Sequence, residues 1–228
     1  MNKTLDPVHL YRKTLAEQQD GSVTLASIGF FENVISHASL SSHALTDISQ
    51  LSGLLNSTAD HYSSLSGPEL IAAKVTSLVV MGGEYPSGSE YNFYGDNPVA
   101  TAHVINGWQG RIVYCGFELG LEITSGARLS VEAPTEDPVA AAYRWYAGYN
   151  TSTFSWDPLT VLYACQGLGS LFQYANVFGY NYVYPNGSNK LVYDETRTDQ
   201  HWLKLKVSNV TAGEELDRLY LEGSQHVS

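Results

Sequence analysis

Two kinds of apolar pattern alternate along the chain. Stretches such as "DPVHLYRKTLAEQ" and "DPVAAAYRWYAGY" space their apolar residues three or four apart, as one face of a helix requires. "SVTLASIG", "VTSLVVMGG" and "RIVYCG" are short, continuous apolar runs, the pattern of strands buried on both faces. Four helical stretches open with the same signal, Asp6-Pro7, Asn97-Pro98, Asp137-Pro138 and Asp157-Pro158. Proline suits the first helical turn, and the preceding side chain can accept a backbone N–H. "SGPELIAAK" adds a capping box from Ser66 to Glu69.

The C-terminal part changes character. "NYVYPNGSNKLVYD" alternates about an Asn-Gly pair, which predicts a hairpin. "HWLKLKV" reads as one more strand, and a capping box from Thr211 to Glu214 opens a last helix. The pattern predicts one α/β domain: a mostly parallel central sheet flanked by helices, then a C-terminal β-hairpin and a final helix. Such sheets bind ligands beyond the carboxyl ends of their strands. Thr24 with Ser27, Met81-Gly82-Gly83 and Cys115-Gly116 are expected there.

One segment breaks the pattern. "VISHASLSSHALTDISQ", residues 34–50, carries five Ser, two His and no Lys or Arg. Removing it joins "FFEN" to "LSGLL" and restores a helical stripe through Phe31, Leu51 and Leu54. Its 17 codons can begin with GT and end with AG, the borders of an intron. The segment therefore reads as a retained intron or as a surface loop insertion, which folds tolerate well.

Composition narrows the function. The 228 residues carry a net charge of −11, with 12 basic against 23 acidic residues. No Lys/Arg cluster occurs, so a nucleic-acid backbone is not the expected partner. No run of 18 apolar residues spans a membrane, and the N-terminus lacks the apolar core of a signal peptide. Cys115 and Cys165 are expected to be buried thiols. His9, His61, His103 and His201 form no close pair and are expected at the surface or in packing. Five N-x-Ser/Thr sequons, at Asn2, Asn56, Asn150, Asn186 and Asn209, exceed the roughly two that chance gives. They hint at secreted relatives; otherwise a cytoplasmic protein is expected.

The chemistry concentrates in "VVMGGEYPSGSEYNFYGDNPVATAH". Glycines after a strand let a ligand approach the backbone. Glu90 and Asn92 alternate onto one side of an extended stretch, an acceptor beside an amide, as a polyhydroxylated ligand would need. The competing reading is a polar turn. Asp157, in "FSWDPLTVLYA", is either a helix cap or a ligand-holding carboxylate.

"LVVMGG", "EYNF", "DNPVA", "ITSGARL" and "SWDPLTVLYA", in this order, resemble the inosine-uridine-preferring nucleoside hydrolases. The resemblance runs over nearly the whole chain. It implies hydrolysis of the N-glycosidic bond of ribonucleosides to ribose and free base, assisted by calcium. It further implies that Asp157 and Thr24 are calcium ligands, that Glu90 and Asn92 bond the ribose hydroxyls, and that Met81 lines the ribose pocket. Trp156 stands where the family often has a histidine that assists the leaving base; tryptophan can stack on a base but transfers no proton. The family opens with a D-x-D-x-x-x-D-D strand, whereas this chain has no Asp-Asp pair. The chain is accordingly expected to begin after that segment, with an incomplete calcium site and no identifiable general base. The alternative is an inactive nucleoside- or ribose-binding or scaffold protein. An uncovered sheet edge would also favour homo-oligomers. Amplification of the mature transcript across codon 34 should yield a product 51 nucleotides shorter if residues 34–50 are intronic; a uniformly full-length product removes that reading.

Overall fold

Four parallel strands bring their carboxyl ends to one side of the molecule. They are β1 (Val23–Ser27), β2 (Val75–Met81), β4 (Ile112–Cys115) and β10 (Gln200–Leu205), in that spatial order. The antiparallel β7 (Phe172–Tyr174) closes the far edge, and β1 forms the other. The computed structural model describes residues 6–29 and 47–225. Register aligns the strand ends: Ser27 lies opposite Val80, and Met81 opposite Cys115.

Both faces of this sheet are covered, which is why the central strands read as unbroken apolar runs. Leu78, Val80, Ile112 and Tyr114 pack toward one core, with residues of α1 (Pro7–Ala16), α2 (Asp47–Leu55), α3 (Gly67–Lys74) and α5 (Pro98–Gly107). Val79, Val113 and Cys115 pack toward the other, with α9 (Trp156–Gln166) and α10 (Asn209–Ser224). Each fully buried aliphatic side chain here contributes about 1.5–3 kcal/mol of transfer free energy. The α/β class, the parallel sheet, the hairpin and the closing helix all stand as the sequence predicts.

The caps differ in detail. Asp6 accepts the N–H groups of Val8 and His9, and Asn97 that of Ala100. Asp137 caps α8 (Pro138–Tyr146) through Val139 and Ala140 at 2.7 and 2.9 Å. Glu69 receives the Ser66 N–H at 2.8 Å, as the capping box requires. The final helix starts earlier than expected: Ser208, not Thr211, is its cap, with its hydroxyl accepting the Thr211 N–H at 3.1 Å. Of the two cysteines only Cys115 is buried; Cys165 is exposed on α9. Of the anomalous segment, residues 47–50 form the start of α2, and the remainder lies outside the described residues. Among the described residues no helix is long and apolar enough to cross a membrane.

The hairpin reaches back toward the sheet's carboxyl side. It consists of β8 (Tyr180–Val183) and β9 (Asn189–Val192), and β9 also pairs with the two-residue β3 (Ser87–Gly88). Its tip fits tightly: a Cβ on Gly187, where φ is 83°, would lie 2.6 Å from the Phe93 carbonyl oxygen. Sequence patterning missed the shorter pieces, α4 (Tyr91–Tyr94), α6 (Phe117–Gly120), α7 (Ala127–Glu132) and the ribbon of β5 (Thr124–Ser125) with β6 (Thr153–Phe154).

Among the described residues, Arg12 is the one cation in the set of largest fully buried side chains. Its guanidinium forks onto Asp60 at 2.8 and 3.1 Å and also holds Ser57 Oγ and two carbonyl oxygens. The guanidinium holds the Asp60 carboxyl down at about 2. Arg12→Met should lower Tm by on the order of 10 °C, because it strands those acceptors. Asp60 has a depressed folded-state pKa, so its contribution is present above pH 4 and lost as pH falls toward 2. Thermal melts of both proteins over that range should therefore converge in acid.

Candidate functional site

The site grows from the end of β2. Gly82 and Gly83 follow Met81, and the expectation that they leave room for a ligand is corrected by the packing. A Cβ on Gly82 would lie 2.3 Å from the ring of Phe93, and one on Gly83 2.8 Å from the Tyr85 hydroxyl oxygen. Phe93 and Tyr85 occupy the space the glycines free, and Gly83 supplies a left-handed turn at φ 78°. The chain then folds back through Glu90 into α4.

Glu90 ties this turn together. Its Oε2 accepts the Gly83 N–H at 3.0 Å, and its Oε1 accepts the Asn92 N–H at 2.8 Å as the cap of α4. The side chain is 5% exposed. Burial pushes its carboxyl up to about 7, against the pull of those N–H groups, and the negative charge of Asp157 adds a smaller push. Asn92 is also anchored, its Nδ2 donating to the Met81 carbonyl at 3.2 Å and to the Met81 sulfur.

Opposite this turn stands the start of α9. The helix begins one residue before Asp157, at Trp156, with Ser155 as its cap residue. Trp156 is clamped: its Nε1–H donates to the Phe117 carbonyl at 2.7 Å, and its ring stacks on Phe117 with centroids 5.6 Å apart. Gly120 leaves the space for that ring, since a Cβ there would come within 2.4 Å of it. Asp157 sits inside the first turn, and its carboxylate accepts no hydrogen bond from any described residue. The same Asp-Pro signal that caps α1 and α8 thus leaves a carboxylate unused here. Asp157 keeps an exposed surface, yet the protein on its cavity side withdraws the carboxyl from water far enough to push it up to about 6.

Met81, Glu90, Asn92, Trp156 and Asp157 all line one open cavity of about 500 Å³. The cavity lies where the strand ends predict it, since Ile28 and Gly29 just beyond β1 and Phe117 just beyond β4 also line it. Thr24 is not among its lining residues. It is the second residue of β1, exposed, and lines a second hollow against α1; the residues of this part of the chain that reach the cavity, Ile28 and Gly29, come four and five positions later, past the end of the strand. Sequence reasoning missed Phe117, Tyr91, Tyr94 and Glu84. The "FELG" that follows Cys115-Gly116 and the paired tyrosines of "YNFY" are the signals that mark three of them.

Calcium takes six to eight oxygen ligands. Among the described residues no group of three or more His, Cys, Asp or Glu side chains is placed to hold a metal ion. Glu90 already spends an oxygen on each of two backbone N–H groups, and Thr24 is elsewhere. Asp157 alone does not make a coordination sphere, so the described residues do not fit the ion.

No protein-family profile and no curated protein matches the chain by sequence. Solved structures match it in fold. The inosine-uridine-preferring nucleoside hydrolase of Bacillus anthracis aligns with a TM-score of 0.59 at 16% identity, over 96% of this chain and 67% of its own. A plant nucleoside hydrolase aligns with a TM-score of 0.59 at 18% identity, over 97% of this chain and 68% of its own. The chain thus spans about two thirds of the length of these structures. At such identities the likeness establishes the architecture: the α/β fold described above is a nucleoside hydrolase fold.

Proposed function

We propose that the cavity binds a ribonucleoside and that the protein hydrolyses its N-glycosidic bond. The observation that carries this reading is the free carboxylate of Asp157 in the same cavity as the Glu90–Asn92 turn and the Trp156–Phe117 stack. The nucleoside hydrolase fold and the resemblance of the "EYNF" and "SWDP" motifs support it. A sugar asks for acceptors and donors on one side, and a planar base asks for an aromatic face on the other. Breaking the bond to the base leaves an oxocarbenium-like ribosyl group. Two carboxylates beside that group oppose its positive charge in a partly dehydrated site. Asp157, ionised above pH 6 and without a protein partner, is the base that takes a proton from the attacking water.

A second reading, binding without turnover, draws on the missing calcium sphere. Incubation of the purified chain with inosine or uridine separates the two. Release of ribose and free base supports hydrolysis; no release, with binding of the nucleoside seen by titration calorimetry, leaves a binding protein; neither sinks both. Asp157→Asn should lower kcat/KM by about 100-fold or more, the usual scale for a lost acid–base group.

The same substitution should not destabilise the fold. The folded-state pKa of Asp157 is raised, so its protonated form is favoured on folding, and that stability is lost as pH rises from about 4 through about 6. Above that range Asp157→Asn should match or exceed the wild-type Tm. Wild-type turnover should rise with pH through about 6, and any residual activity of the variant should lack that limb. A variant with a normal pH limb would remove Asp157 from the chemistry.

A further inference from the structure

Asn2 lies outside the described residues; among the described residues no sequon asparagine lines the cavity. Asn56 is exposed directly after α2. Asn150 is exposed in the turn between α8 and β6, with φ at 54°. Asn186 is exposed at the tip of the β8–β9 hairpin, where its Oδ1 accepts the Ser188 N–H at 3.1 Å and the Ser188 hydroxyl at 2.8 Å, leaving its amide nitrogen without a described partner. Asn209 differs, because it lies in the first turn of α10 and its Nδ2 donates to Glu122 at 2.7 Å.

A second observation falls close to Asn150 in the chain. Trp145, Tyr146 and Tyr149 are 88%, 76% and 68% exposed, and all precede Asn150 by no more than five residues. Three largely exposed aromatics within five residues offer apolar surface for a neighbouring group to cover. Sugar rings suit it: their C–H faces lie on aromatic rings while their hydroxyls stay in water, as amphipathic Trp and Tyr allow.

We propose that Asn56, Asn150 and Asn186 are N-glycosylation sites and that the Asn150 glycan covers the Trp145–Tyr149 face. In the transfer, the asparagine amide nitrogen attacks the anomeric carbon of a polyprenyl-diphosphate-linked oligosaccharide. The new N–C bond forms as the C–O bond to phosphate breaks; polyprenyl diphosphate leaves and the amide loses one proton. Asn209 is not a site, since a glycan there would displace the Glu122 bond and crowd the start of a packed helix. None of the three asparagines lines the cavity.

Peptide-N-glycosidase treatment tests this on the protein from its native cells and on the full chain secreted behind a cleavable leader. Peptide mass spectrometry should show glycan removal, with Asn converted to Asp, at Asn56, Asn150 and Asn186 and not at Asn209. Asn56→Gln, Asn150→Gln and Asn186→Gln should each delete one mobility step in the secreted protein. Acrylamide should quench tryptophan fluorescence more strongly in Asn150→Gln than in Asn56→Gln. Unmodified asparagines in the native protein overturn the proposal, and modification confined to Asn209 overturns the site assignment. Equal quenching in the two variants overturns the covering role. The peptide masses read the wild-type chain directly, so a variant that fails to fold leaves the main outcome decisive.

Discussion

A buried carboxylate holds the mouth of the cavity in shape. Glu90 bridges the end of the central strand and the first turn of α4, one oxygen on each side. Leaving the buried Gly83 N–H without its acceptor would cost about 1–3 kcal/mol. Around this bridge the neighbouring residues have little choice. Gly82 must be glycine for Phe93 to fill the core beneath, and Phe93 must be there for α4 to sit on the strand end. Burial still outweighs the two N–H groups in setting the acidity of Glu90, so the structural clamp is also a carboxyl that changes charge near neutral pH.

The clamp is braced from the far end of the sequence. Asn189, on the second strand of the hairpin, exchanges two hydrogen bonds with the backbone of Glu84, each at 3.0 Å. Asn181 on the first strand bonds the Tyr85 hydroxyl at 3.1 Å and accepts from Asn189 at the same distance. Gln200 on β10 takes the Tyr114 hydroxyl and the Asn181 N–H through one oxygen. All three amide side chains are almost fully buried and bonded. A buried polar chain of this kind specifies one arrangement, because any shift leaves a group unpaired. The hairpin thus transmits the position of the parallel sheet to the turn that carries Glu84 and Glu90.

The architecture was legible because it rests on local rules. Continuous apolar runs, Asp-Pro starts and an Asn-Gly turn each act over a few residues, and each produced the expected element. The cavity was legible for the same reason, since the ends of parallel strands must share one side; five of the six residues proposed for it meet there. What failed was non-local. Thr24 was chosen by motif, and it lines a different hollow because the cavity is reached only past the end of its strand, at Ile28 and Gly29. The double glycine looked like room for a ligand until Phe93 and Tyr85 proved to fill it. The brace of Asn181, Asn189 and Gln200 leaves no periodic signature, because its members come from three separate strands.

Asp157 shows how one dipeptide can do two different things. Asp6 and Asp137 stand before the first residue of their helices and spend their carboxylates on backbone N–H groups. Asp157 stands one turn position further in, because Ser155 lies buried against Ser125 and lets α9 start at Trp156. A carboxylate in the first turn of a helix feels the positive end of the helix dipole, which by itself favours ionisation. The carboxyl of Asp157 moves the other way, up to about 6, so withdrawal from water at the cavity outweighs the dipole. What sets Asp157 apart from Asp6 and Asp137 is therefore its free carboxylate, which lines the cavity beside a clamped indole instead of closing the end of its helix.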